Sequence, residues 1–135
     1  MKILFIFLVL VFSASEVRAQ AFETEATMMG LLAGAAEACG AGKKLDDYEL
    51  IAGNILLNKA PTIEAQKKAV FEYSLAKIKG GKRQKNFPII SCEDFLEAFA
   101  RQDIFMATVY QDGTVKLADG TIIPSNKGKP QPQSK

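Results

Sequence analysis

Apolar and polar positions follow a helical period over most of the chain. From about Glu23 to Cys39, this period predicts a first helix with one apolar stripe. The stripe consists of Met28, Leu31, Leu32, Ala35 and Cys39. A second row on the same helix carries only small residues, namely Ala26, Gly30, Gly34 and Ala38. Because each interior glycine weakens a helix by about 1 kcal/mol, this row predicts close approach of a neighbouring backbone.

Two more helices follow. The second opens at Asp46, where Glu49 completes a pattern similar to a capping box, and it ends before Pro61. Its apolar face comprises Tyr48, Ile51, Ala52, Ile55 and Leu56. The third begins after the N-cap Thr62 and ends at Gly80-Gly81. Its apolar side comprises Phe71, Leu75 and Ile78, flanked by Val70, Tyr73 and Ala76.

The stretch 82–90 is predicted to be a loop, extended around Phe87-Pro88. A fourth helix starts at Ser91, since Asp94 completes the Ser-x-x-Asp pattern that caps helices. On this helix Cys92, Leu96 and Phe99 share one face. The sequence therefore predicts a mainly α, four-helix domain.

After Asp103 the period changes to two, from Phe105 to Tyr110. Asp112-Gly113 and Asp119-Gly120 then follow, each before Thr and a β-branched residue, and Asp-Gly between alternating runs signals a hairpin. This region predicts a short C-terminal β-hairpin or three-strand meander, which must pack on the helices or on a partner. Residues 124–135 are rich in Pro, Gly, Ser, Gln and Lys and predict a disordered basic tail.

The N-terminus has the order of a secretory signal peptide. Lys2 precedes an unbroken apolar run over 3–12, and small residues offer cleavage sites after Ala19 or Ala21. The alternative is an uncleaved anchor, but a membrane span needs roughly 20 apolar residues. We therefore expect a signal peptide at 1–19, or ending at 21, and a single domain at 22–123. This domain is expected in the periplasm or secreted, without stable membrane insertion after cleavage.

Cys39 and Cys92 are the two cysteines of the chain, and an exported protein favours their pairing. Closing a loop of about 53 residues stabilises the fold by roughly 4 kcal/mol in the chain-entropy model. The alternative is a reactive thiol at Cys92, at the start of the fourth helix. The absence of a Cys-x-x-Cys pattern and of histidine favours a structural disulfide.

Composition excludes several chemistries. Without histidine, the chain lacks Ser-His-Asp and Cys-His catalysis and histidine metal sites. Carboxylates are the remaining acid-base candidates, namely Glu93 and Glu97 on the fourth helix and Asp46, Asp47 and Glu49 on the second. Two carboxylates in a cleft would suit glycoside hydrolysis. However, acidic residues in the first turn of a helix are commonly there because they interact favourably with the helix dipole. We therefore predict a non-enzyme with no cofactor and no metal.

Partner-binding candidates lie in two places. The first is a basic run without acids, Lys77, Lys79, Lys82, Arg83 and Lys85, which suits an anionic partner or serves as a solvated helix end. The second is the first hairpin turn with Tyr110, Asp112 and Gly113, beside a sheet edge that a partner strand can extend. Nucleic acid is not expected, because removing Lys2, Glu16 and Arg18 with the signal leaves a net charge of about +1.

Two resemblances bear on function. The segment 91–96, Ser-Cys-Glu-Asp-Phe-Leu, resembles the region around the first cysteine of the periplasmic acid-stress chaperones, although here it carries the second cysteine. The order of a cysteine closing one helix, two further helices and a cysteine opening a fourth is similar to helical immunity proteins that block periplasmic amidases. That similarity is one of layout and includes no diagnostic motif.

Together these observations favour a non-enzymatic exported binding protein of the bacterial envelope, of the immunity or inhibitor type or an accessory factor of an envelope machine. Its partner is then another envelope or secreted protein. The alternatives are a periplasmic acid-stress chaperone, whose pH response must come from carboxylates titrating near pH 4, and a carboxylate-dependent hydrolase.

Overall fold

The computed structural model of the chain describes residues 22–126. The predicted signal peptide, at 1–19 or 1–21, and positions 127–135 of the predicted tail lie outside these residues. The mainly α architecture is confirmed, with four helices, one disulfide and a small C-terminal sheet.

The helices come first in the chain and the strands last. Helix α1 covers 22–38, α2 Lys43–Lys59, α3 Ile63–Asn86 and α4 Cys92–Ala100. A 3-10 helix at Asp103–Met106 precedes β1 (Thr108–Val109), β2 (Val115–Lys116) and β3 (Ile122–Ile123). Across 22–126, none of the helices has the length and apolarity of a membrane span.

Local side-chain caps start two of the helices. The Thr62 hydroxyl accepts a hydrogen bond from the Ala65 amide at 3.1 Å, and the Ser91 hydroxyl accepts one from Asp94 at the same distance, so both predicted N-caps are confirmed. The predicted start of α2 at Asp46 is wrong. Gly42, with φ 56°, ends the preceding turn, and α2 begins directly after it without a side-chain cap.

Helix α3 continues through Gly80-Gly81 to Asn86, so the predicted stop at the glycines and the predicted loop over 82–86 are wrong. The glycines are helical because they lie against the backbone of α1. A Cβ at Gly80 would overlap the Leu31 carbonyl, and one at Gly81 would lie 3.3 Å from the Gly34 oxygen. Helical glycine normally favours a stop, but here tertiary contact outweighs that preference.

The small residues of α1 form the other half of the same contact. A Cβ at Gly30 would lie 2.8 Å from Ala76 Cβ, and a Cβ at Gly34 would overlap the Lys77 carbonyl and lie 2.7 Å from the Gly81 nitrogen. The contacts advance in the same direction on both helices, so α1 and α3 run parallel. The predicted close approach of a backbone to α1 is confirmed.

The main core lies between α1, α2, α4 and the 3-10 helix. The Tyr48 and Phe99 ring centroids lie 5.1 Å apart, and Phe105 meets Phe99 edge-on at 5.3 Å. Phe105 therefore belongs to the 3-10 helix of this aromatic cluster rather than to the predicted strand. The Cys39–Cys92 disulfide joins the end of α1 to the start of α4, as predicted.

The three strands form an antiparallel meander in the order β1-β2-β3. Val115 and Ile123 turn inward and form a second core cluster with Ile51 and Ile55 of α2. The sheet therefore packs on the helices, one of the two arrangements that the sequence left open. The Asn126 side chain also donates to the Leu57 and Ala60 carbonyls at the end of α2, so packed structure reaches into the predicted tail.

Candidate functional site

Large apolar side chains of α1 and α3 lie outside the core. On α3 the exposed fraction is 63% for Phe71 and 57% for Ile78, whereas Ala69, Ala76 and Gly80 are buried. The apolar side predicted for α3 is therefore its outer side. The reason is steric, because only small side chains allow the two helix backbones to approach as closely as they do.

A groove of 320 Å³ separates α1 from the C-terminal end of α3, the following loop and α4. Its walls are almost entirely apolar. They comprise Met28, Leu31, Leu32 and Ala35 of α1, Gly80, Arg83 and Gln84 of α3, Ile89 and Ile90 of the loop, and Phe95 of α4. Four residues of the apolar stripe predicted for α1 thus form one wall of a half-open groove.

The loop wall of the groove is held in place by Gln84. The Gln84 amide donates to the Ile90 carbonyl at 3.1 Å and reaches Cys92 Sγ at 3.8 Å. The disulfide is therefore adjacent to the groove, and it ties the start of α4, which follows the loop, to the end of α1. Ile89, which is 76% exposed, projects from this anchored loop and offers an apolar contact to a partner.

Lys77 lies in an interhelical polar cluster, apart from the exposed bases. Its ammonium lies 2.6 Å from a Glu49 oxygen and 3.5 Å from a Glu37 oxygen, and the Tyr73 hydroxyl donates to Glu49 at 3.2 Å. Burial alone would lower the pKa of Lys77, but the bond to Glu49 and the two carboxylate charges outweigh it and raise the pKa above its ordinary value. The cluster joins α1, α2 and α3, so Lys77 has a structural role.

The other four predicted bases, Lys79, Lys82, Arg83 and Lys85, are exposed on the C-terminal half of α3. None of them forms an ion pair with another residue of 22–126. Arg83 lines the groove, and Lys79 lies one turn before it. The structure thus brings part of the basic run to the groove, on a helix rather than in the predicted loop.

The first hairpin turn is held together by its own contacts. The Asp112 carboxylate accepts bonds from the Thr114 amide and hydroxyl at 2.9 and 3.1 Å, and the Gly113 carbonyl accepts one from Asn58 of α2 at 2.7 Å. Gly113, with φ 91°, occupies the left-handed position that this turn requires. Tyr110 and Asp112 border a shallow depression.

Three of the carboxylates considered for catalysis form ion pairs with different partners in separate parts of the structure. Glu97 pairs with Arg101, Asp47 with Lys43 at 3.0 Å, and Glu49 belongs to the Lys77 cluster. Over 22–126, no group of three or more Cys, Asp or Glu side chains is placed to hold a metal ion. Apart from Arg83, the groove residues are functional candidates that the sequence did not single out. The sequence signal for this groove is the row of small residues on α1 together with Gly80-Gly81 on α3. These small residues let the two helices touch, and the large apolar side chains of both helices are then left outside the contact.

A comparison of the chain with protein-family models, curated proteins and solved structures finds no match.

Proposed function

We propose that this protein is a non-enzymatic exported binding protein of the cell envelope, of the inhibitor or immunity type or an accessory factor of an envelope machine. The observation that carries the proposal is the apolar groove between α1, α3 and α4. Exposed apolar patches often mark binding sites, and this groove is lined by α1, by α3 and by the loop with α4. A disulfide beside the groove keeps its walls in place without a partner.

The proposed occupant is an amphipathic helix of a partner protein with acidic residues beside its apolar face. A helix laid in an apolar groove is a common mode of peptide recognition. Arg83 supplies positive charge at one wall, and no carboxylate among 22–126 lines the groove. Charge complementarity therefore favours an acidic partner and sets its orientation.

The test places a photo-crosslinking amino acid at Ile89 and, as the matched control, at Ile122 in the envelope of the producing cell. Ile122 is also exposed, at 53%, but lies on β3 of the sheet. We expect one protein to crosslink from Ile89 and not from Ile122, through a segment with acidic and apolar helical faces. A synthetic peptide of that segment should bind the domain.

Peptide binding should be lost in Ile89→Lys and weakened in Arg83→Gln, while Ile122→Lys retains it. Both lysine variants place a charge at an exposed site, so thermal melts should show both to be folded. Equal crosslinking from the two positions, or a peptide that binds all variants alike, would contradict the proposal.

A second candidate is an acid-activated chaperone, which the distribution of ion pairs favours. Glu25 pairs with Lys59 at 2.8 Å, Glu23 with Lys68, and Glu37 and Glu49 with Lys77. Each pair joins two helices and needs a charged carboxylate, so protonation of these carboxylates in acid would remove the pair. This candidate predicts partial opening, dye binding and suppression of client aggregation at pH 2–3. A protein that stays compact and protects no client at that pH would exclude it.

A further inference from the structure

The outer side of α3, opposite its glycine contact with α1, carries a second apolar surface. Phe71, Leu75 and Ile78 are spaced by four and three residues, so they form one line along the helix. All three are exposed, and none lines the groove. We call this line the α3 ridge. It is separate from the proposed protein-docking groove.

Lysines surround the α3 ridge at helical spacing, within one or two turns of its apolar residues. They are Lys67, Lys79, Lys82 and Lys85, and none pairs with an acid in the described part of the chain. Lys68 also lies near the ridge but pairs with Glu23. Glu64 and Glu72 are the acids close to it along the helix. Positive charge therefore dominates, particularly towards the C-terminal end of α3.

We propose that the α3 ridge binds the surface of a bilayer that contains anionic phospholipid, with α3 lying in the plane of the interface. Apolar side chains in one row with lysines on both sides are typical of helices that lie in a membrane interface. Lysine stems follow the apolar surface while their ammonium groups reach the phosphates. Each lysine near an anionic surface strengthens binding by about fivefold.

A protein partner fits the ridge less well than a bilayer does. A stable protein interface buries about 1,200–2,000 Å² in total, with complementary packing. The ridge is a convex helix surface with three large apolar side chains, which are not among the residues that line the groove. A bilayer interface adapts to a convex surface and needs no matching cavity. A second copy packed against the same ridge would bring two sets of lysines together, and this repulsion disfavours a second copy of this chain as the occupant.

The chain contains no tryptophan, so a single introduced tryptophan reports its own environment. Phe71→Trp places it on the α3 ridge, and Leu50→Trp places the control on α2 at a residue of similar exposure, 60%. The full chain should be mixed with vesicles of phosphatidylcholine, with and without phosphatidylglycerol. We expect a blue shift of fluorescence for Phe71→Trp with the anionic vesicles, reduced by salt, and none for Leu50→Trp. Every variant has the same N-terminal segment, so a shift that Phe71→Trp shows and Leu50→Trp lacks reports contact at the α3 ridge.

Sedimentation of vesicles with bound protein then measures how much the lysines and Ile78 each contribute to vesicle binding. Lys82→Gln with Lys85→Gln should weaken binding roughly 25-fold, whereas Lys43→Gln with Lys116→Gln should change it less than threefold. Ile78→Asn should weaken binding without lowering the melting temperature. Three outcomes would overturn the proposal: equal shifts at Phe71 and Leu50, equal binding of neutral and anionic vesicles, or a dimer in solution that Ile78→Asn dissociates. Loss of vesicle binding leaves the crosslink at Ile89 unaffected, so the two proposals fail separately.

Discussion

The two sides of α3 differ in the side chains they carry and in what covers them. The inner side carries Ala69, Ala76 and Gly80 and lies against the backbone of α1, whereas the outer side carries Phe71 and Ile78 and is open to solvent. On α3 the small side chains are buried and the large apolar side chains are exposed, which is the reverse of the usual relation between hydrophobicity and burial. Small residues allow two parallel helices to approach closely, and the large residues are left available for other contacts.

Substitutions at two phenylalanines should show the largest difference between a buried position and the outer side of α3. Phe99→Ala, in the aromatic core with Tyr48 and Phe105, should lower the free energy of unfolding by about 3–5 kcal/mol. Phe71→Ala should change it by less than about 0.5 kcal/mol, because an exposed side chain creates no cavity when removed. Urea denaturation of the oxidised protein measures both. Similar losses for the two variants would mean that the outer side of α3 is buried.

A second pair of variants tests the inner side. Gly34→Ala should destabilise the protein by about 1–3 kcal/mol, because the new methyl group overlaps the Lys77 carbonyl and α1 must move away from α3. Gly53→Ala on α2 meets nothing within 4 Å and should stabilise the protein by about 0.5–1 kcal/mol through helix propensity alone. Thermal melts of both variants provide the comparison. A neutral Gly34→Ala would rule out close contact.

A smaller difference in stability is expected between Lys77, which pairs with carboxylates of α1 and α2, and an exposed lysine of α3. Lys77→Met removes the partner that Glu37 and Glu49 share and should cost about 1 kcal/mol. Lys79→Met, two positions further along the same helix but exposed, should be neutral within about 0.5 kcal/mol. Equal values from urea denaturation would indicate that the interhelical cluster contributes nothing beyond a surface charge.

A further expected effect is a loss of stability in alkali. Burial is the main cause that raises the pKa of Tyr48 and Tyr73 above the ordinary value of 10.0, and Glu49 adds to the shift at Tyr73. The folded state holds these protons more tightly than the unfolded chain does. The free energy of unfolding should therefore be retained below pH 10 and fall as the pH rises above it.

Denaturation midpoints measured from neutral pH to above pH 10 show this dependence. Tyr73→Phe should reduce the alkaline slope, whereas Tyr110→Phe on the exposed hairpin turn provides the matched control. A slope that both variants leave unchanged would exclude Tyr73 as a contributor.

The amino-acid pattern predicted where helices and turns occur better than it predicted which side of each helix is buried. Local chemistry determines the caps at Thr62 and Ser91 and the paired Asp-Gly turns, so these followed from the sequence. The path of α3 through Gly80-Gly81 did not, because it depends on contact with Gly34, more than 40 positions away in the chain. The groove was missed for the same reason: an apolar stripe has the same period whether its residues line a core or an open surface.

A nuclear Overhauser spectrum of the isotope-labelled, oxidised protein shows directly which side of α3 lies against α1. We expect a strong cross-peak between the Gly34 α-protons and the Gly81 amide proton, together with no long-range cross-peaks from the Phe71 ring. Cross-peaks from the Phe71 ring to α1 or α2, without the Gly34–Gly81 peak, would show instead that α3 packs through its large side chains.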